Sequence, residues 1–96
     1  MRTTPPAVLK YFSHKKCSVC KVLQPKVQEL LSKEFPKMQM ESINIEKDPE
    51  KAAHHHVFAA PTILIFFEGK EYHRFSRNLS IGQLRAAIDR PYHLIF

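Results

Sequence analysis

Glycine and cysteine are scarce in this chain, acidic residues are outnumbered, and tryptophan is absent. Two glycines among 96 residues leave nothing from which to build a Gly-rich phosphate cradle, so loops of that kind are excluded. No long apolar run exists either. The longest uninterrupted one, Ile63 to Phe67, is far short of the roughly 20 residues a membrane-spanning helix needs, and no membrane partner is expected. The opening Met-Arg-Thr-Thr-Pro-Pro lacks the apolar stretch of a secretory signal, which makes a cytoplasmic location the expectation. Nine acidic residues against fifteen Lys and Arg give a formal charge of +6, which favours acidic partners and raises nucleic acid as a class. The lysines, however, are spread over one predicted helix and its approach, while the aromatics fall in apolar runs. Without an interleaved Lys/Arg–aromatic stripe, stacking recognition of nucleic acid is not supported. A composition of 44% hydrophobic and 25% charged residues is that of one globular domain, residues 1–96, with a modest core.

Cys17 and Cys20 are the only cysteines, spaced C-x-x-C. So short a loop constrains an unfolded chain little and makes a poor structural staple. The pair is a metal half-site, a redox dithiol or a coincidence. Zinc wants four ligands and no second C-x-x-C exists, although His54, His55 and His56 could offer two. Consecutive helical residues point about 100° apart, so three histidines in a row cannot reach one ion. They are read instead as helix C-terminal caps and solvent-facing side chains, and no metal or cofactor is expected.

The pattern along the chain reads βαβαββα. Ala7 to Ser13 is a short, largely buried strand. From Ser18 the period turns helical, with Leu23, Val27, Leu30, Leu31 and Phe35 on one stripe and Pro36 as the stop. Pro25 inside that helix deletes a backbone donor and should kink it. Met38 to Glu46 is a second strand, polar enough for a sheet edge. Asp48-Pro49-Glu50 opens a helix of about two turns ending near His55. Ala59 to Phe67, entered through Pro61, is apolar on both faces; Glu68-Gly69 turns it into a partner strand, Lys70 to Ser76. Ser80 and Gln83 form a capping box, and Leu79 and Leu84 a hydrophobic staple, for a last helix. Pro91 is expected to end that helix and leave Tyr92 to Phe96 as a tail.

Taken together these residues resemble the thioredoxin family across nearly the whole chain. The resemblance rests on Cys17-Ser-Val-Cys20-Lys21 opening a helix, Pro25 five positions on, Asn44-Ile45-Glu46-Lys47-Asp48-Pro49, Ala60-Pro61-Thr62 before a buried strand, Phe66 to Lys70, and Ser80 to Leu84. It implies an α/β thioredoxin-like fold, a trimmed βαβαββα with a four-stranded mixed sheet flanked by helices and the first strand central. It also implies a cis bond before Pro61, packed against the cysteines. The match departs from the family at four places. The aromatic before the first cysteine and the proline between the two are gone from Lys16-Cys17-Ser18-Val19-Cys20. The family's buried acid on the first strand falls at Tyr11, its partner lysine at Ser42, and a groove-lining glycine at Arg77.

Thiol–disulfide exchange needs an attacking thiolate, a second thiol to resolve the mixed disulfide, and a groove for the partner. Cys17 at a helix start is favoured as the anion, with Lys15, Lys16 and Lys21 adding positive charge. Cys20, one turn inside, suits the resolving role. Tyr11 is either plain core or a hydroxyl serving near Cys20 in place of the lost carboxylate; with Lys16 and Lys21, which act on Cys17, it is counted among the pKa-tuning residues of the pair. Phe58, Ala59 and Ala60 are expected to line the approach to Pro61, with Arg77 on the rim. The reading is a thiol–disulfide oxidoreductase, a monomer that reduces disulfide-containing and preferentially acidic protein substrates and takes electrons from a thiol reductase. Its rival is a non-catalytic binding module of the same fold, with a basic groove and vestigial cysteines.

Overall fold

The computed structural model describes residues 6–76 and 79–96. Strand β1 (Ala7–Ser13) leads to helix α1 (Ser18–Glu34), β2 (Gln39–Asn44), α2 (Pro49–His54), the hairpin β3 (Thr62–Phe67) and β4 (Lys70–Ser76), and α3 (Ile81–Ile95). One four-stranded sheet has the order β2-β1-β3-β4. β1 is central, parallel to β2 and antiparallel to β3, and β4 closes the other edge. Period-two alternation splits β1 between two cores. Leu9 and Tyr11 join Leu23, Val27 and Leu30 of α1 and Leu84 and Ile88 of α3 on one side. Phe12 and Leu64 meet Ala52 and Val57 beside α2 on the other. Each fully buried aliphatic side chain contributes about 1.5–3 kcal/mol, so the face under α1 and α3 holds most of the stabilisation. β3 is buried on both faces, as its continuous apolar run requires.

Several element ends differ from the pattern expected. β2 stops at Asn44 rather than Glu46, because the Asn44 Oδ1 accepts the Glu46 and Lys47 amides at 2.8 and 3.1 Å. A local turn thus replaces two ladder positions. β3 begins only at Thr62, whose hydroxyl donates to the Ala59 carbonyl at 2.7 Å. In the hairpin both Glu68 (φ 53°) and Gly69 (φ 82°) are left-handed, the pattern of a two-residue I′ turn, whose twist matches the strands. The largest correction is at the C-terminus. Pro91 does not end α3, which runs on to Ile95. Interior proline costs a helix about 3 kcal/mol, and packing beyond it outweighs that loss. Tyr92 is buried against Phe35 with ring centroids 4.9 Å apart, and its hydroxyl accepts the Lys37 amide at 3.1 Å. What looked like a tail is the last turn of a core helix. Pro25 likewise lies within α1 without ending it.

Candidate active site

The chain leaves β1 through a polar turn in which the Cys17 amide donates to the His14 carbonyl at 3.1 Å. Cys17 then takes the N-cap position of α1, with extended backbone and its Sγ accepting from the Cys20 amide at 3.1 Å. An N-cap normally offers a side-chain oxygen to these free amides; here a sulfur takes that place, where amides and helix dipole both favour an anion. The first turn of α1 contains no acidic residue. Cys17 and Cys20 are joined as a disulfide, their Cα atoms 5.2 Å apart. Cys17 keeps 8% of its surface exposed and Cys20 only 2%, so an incoming group meets Cys17 first.

Tyr11 is fully buried behind the pair. Its hydroxyl donates to the Cys20 carbonyl at 2.8 Å, and burial pushes its pKa up to about 12. Both facts make it a donor that holds the Cys20 backbone rather than a base. Ser42, opposite Tyr11 in the sheet register, accepts from Gln24 Nε2 at 3.0 Å. Carboxylate and ammonium are thus replaced by two neutral hydrogen bonds. A cleft of about 420 Å³ reaches Cys20 between Lys15, Lys21, Asn44 and Glu46, and the Lys15 amide donates to Glu46 Oε1 at 3.3 Å across it. Lys15, Lys16 and Lys21 are all exposed around the pair.

On the other flank the Ala60–Pro61 peptide is cis. Pro61 is buried and Ala60 packs against the core cluster that contains both cysteines. Phe58 stands 80% exposed, and Val19 and Val22 on α1 are 55% and 61% exposed. Val19 and Val22 share one shallow surface pocket with Ser18, Leu23 and Lys26. Arg77 lies outside the described residues.

The three histidines separate. His55 packs edge-on against Phe66 with centroids 5.8 Å apart, and its Nδ1 donates to the Lys51 carbonyl at 3.0 Å. That leaves Nε2 to accept from Lys10 Nζ at 3.1 Å. His54 and His56 are exposed. Among the described residues no three His, Cys, Asp or Glu side chains gather as metal ligands, and no helix is long and apolar enough to cross a membrane. A groove of about 600 Å³ beside Lys10, Glu41 and His55 lies on the α2 face and shares no residue with the cleft at Cys20. Three details escaped the sequence: the bond from Tyr11 to the Cys20 carbonyl, the Thr62–Ala59 tie, and Arg74. Arg74 of β4 reaches the carbonyls that precede the Pro61 segment, and nothing in the local pattern of an exposed strand signals that contact.

A disulfide closed across the first turn of a helix, its outer cysteine slightly exposed and its inner one sealed, is the working group of a thiol–disulfide oxidoreductase. The family model for thioredoxin matches residues 2–90, and the chain belongs to the thioredoxin family. It is 32% identical over 84 residues to the thioredoxin-like protein YdfQ of Bacillus subtilis, a match taking in 88% of this chain and 74% of that one. With the chloroplastic thioredoxin Y of Oryza sativa it shares 36% over 73 residues, 76% of this chain but 44% of the relative. Among solved structures, thioredoxin 1 from the thermophilic eubacterium Thermosipho africanus superposes with a TM-score of 0.83 at 33% identity. That superposition covers 91% of this chain and 96% of the other.

Proposed function

We propose that this chain is a cytoplasmic, monomeric protein disulfide reductase in which Cys17 attacks and Cys20 resolves. The Cys17 thiolate displaces one sulfur of a substrate disulfide, forming a mixed disulfide and releasing a substrate thiolate. Cys20, deprotonated, then attacks Cys17 Sγ, which frees the second substrate thiol and closes the Cys17–Cys20 disulfide. A thiol reductase returns two electrons and two protons to begin again. What carries the reading is the position of Cys17 as the N-cap of α1 with Cys20 sealed one turn inside.

The substrate strand would run along residues 58–60, before Pro61, with Phe58 and Ala60 as contacts. Lys16 and Lys21 hold the Cys17 thiolate, and Tyr11 fixes the Cys20 backbone. The cationic rim selects acidic substrates mainly through encounter rate. In a dithiothreitol-driven reduction assay Cys17→Ser should abolish turnover, whereas Cys20→Ser should trap a mixed disulfide with substrate. Equal residual activity in the two variants would discard the assignment and favour a non-catalytic binding module.

A further inference from the structure

Helix α2 is six residues long, yet the direction in which the chain leaves it decides where the Phe58–Pro61 segment lies. Its end is a Schellman turn. The Val57 amide reaches back to the Ala52 carbonyl at 2.8 Å and the His56 amide to the Ala53 carbonyl at 3.0 Å, while Val57 and Ala52 share a core cluster. The position that glycine usually fills in this turn is held by His56, at φ 56°, a left-handed conformation unfavourable for a residue with a side chain. The turn leaves the carbonyls of His55 and His56 pointing away from the helix, and Arg74 takes both. Nη2 donates to the His55 carbonyl at 2.7 Å and Nη1 to the His56 carbonyl at 3.0 Å. The guanidinium is itself fixed by Glu71, which accepts from Nε at 3.0 Å and Nη2 at 3.1 Å. At the far end of the segment the Thr62 hydroxyl holds the Ala59 carbonyl. Phe58 stands exposed between these two anchors.

We propose that Arg74, locked by Glu71, is a positioning residue for substrate: by gripping the two carbonyls at the end of α2 it sets the register in which residues 58–60 meet a substrate strand. This rests on the reading of the chain as a protein disulfide reductase. Arginine is suited to the task because its planar fork serves two carbonyls and a carboxylate at once, which the single ammonium of lysine cannot do.

The test compares a protein disulfide, insulin, with the small disulfide 5,5′-dithiobis(2-nitrobenzoate), which needs no strand pairing. Arg74→Ala should lower kcat/KM for insulin by about tenfold, chiefly through KM, because a segment out of register pairs poorly. The small-disulfide rate, the alkylation rate of Cys17 and the reduction potential should stay at their unaltered values. Arg74→Lys should resemble Arg74→Ala, and Glu71→Gln should show a smaller loss of the same kind. An unchanged insulin KM in Arg74→Ala, or an equal loss with both disulfides, would overturn the proposal. Amide exchange at residues 58–60 supplies a readout independent of turnover and should accelerate in Arg74→Ala. If the unaltered chain reduces neither disulfide, the reductase reading falls; if exchange at 58–60 is the same with and without Arg74, the clamp itself falls.

Discussion

Replacing Tyr11 by phenylalanine removes one oxygen and should produce two stability effects of opposite sign. Near neutral pH the variant loses the buried bond to the Cys20 carbonyl at 2.8 Å, worth about 1 kcal/mol. For a domain of 96 residues that loss should lower Tm by roughly 4–8 °C. At high pH the balance shifts. The folded-state pKa of Tyr11 is raised to about 12 against about 10 in an unfolded chain, so the native state holds this proton more tightly. The corresponding stability is complete below pH 10 and disappears as pH climbs through 12. At pH 12 the unaltered protein should have lost about 2 kcal/mol from this group alone. Tyr11→Phe has no such proton to lose, and every other titrating group is common to both proteins and cancels in the difference. The two stability curves should therefore cross between about pH 10 and pH 11. Urea unfolding of both proteins at half-unit steps from pH 7 to 12 measures the crossing. A difference that stays constant over that range would mean that the Tyr11 hydroxyl is not the buried donor described.

Four further outcomes are expected. Reduction of an acidic peptide disulfide should slow as salt rises towards 0.15 M, where the reach of exposed charge is cut to about 8 Å. A double change of Lys15 and Lys16 to Glu should reverse the preference over a basic peptide of equal length, and equal rates for the two peptides at low salt would remove the rim from selection. Glu41 is held below the usual carboxylate range by its hydrogen bond to Lys51 and by the charges of Lys51 and Lys10. Stability gained there is present above the ordinary carboxylate pKa and lost as pH falls through the depressed one, so Glu41→Gln should flatten the acid limb of a urea-unfolding series; an unchanged limb contradicts the pairing. Ser80→Ala removes the hydroxyl that caps the Gln83 amide at 3.1 Å and should cost about 1 kcal/mol in chemical unfolding.

How much of this was legible in the sequence depended on the range of the interactions involved. The apolar alternation of β1, the continuous run of β3 and the box of Ser80 and Gln83 are local patterns, and each element they predict is present. The helix-start cysteines were legible for the same reason, since an N-cap is a matter of neighbours in the chain. Pro91 misled because a proline's local cost was visible whereas the anchor that overrides it, Tyr92 against Phe35 and Lys37, spans more than half the chain. Asn44 shortened β2 through a side-chain turn that a strand pattern does not reveal. Tyr11 was legible as core, and only the fold could say that its hydroxyl meets the Cys20 carbonyl. Arg74 was invisible altogether: one charge on an exposed strand, meaningful only because β4 passes the end of α2.

The central claim is that Cys17 and Cys20 are a working couple, and their reduction potential tests it most directly. Equilibrating the protein in glutathione and dithiothreitol buffers of graded poise and trapping free thiols by alkylation should give one reversible two-electron transition. Its midpoint should lie within the roughly −120 to −270 mV span of catalytic dithiols, identical whether approached from the oxidised or the reduced side. A pair that stays in one state across that range, or gives different midpoints from the two directions, would contradict the account.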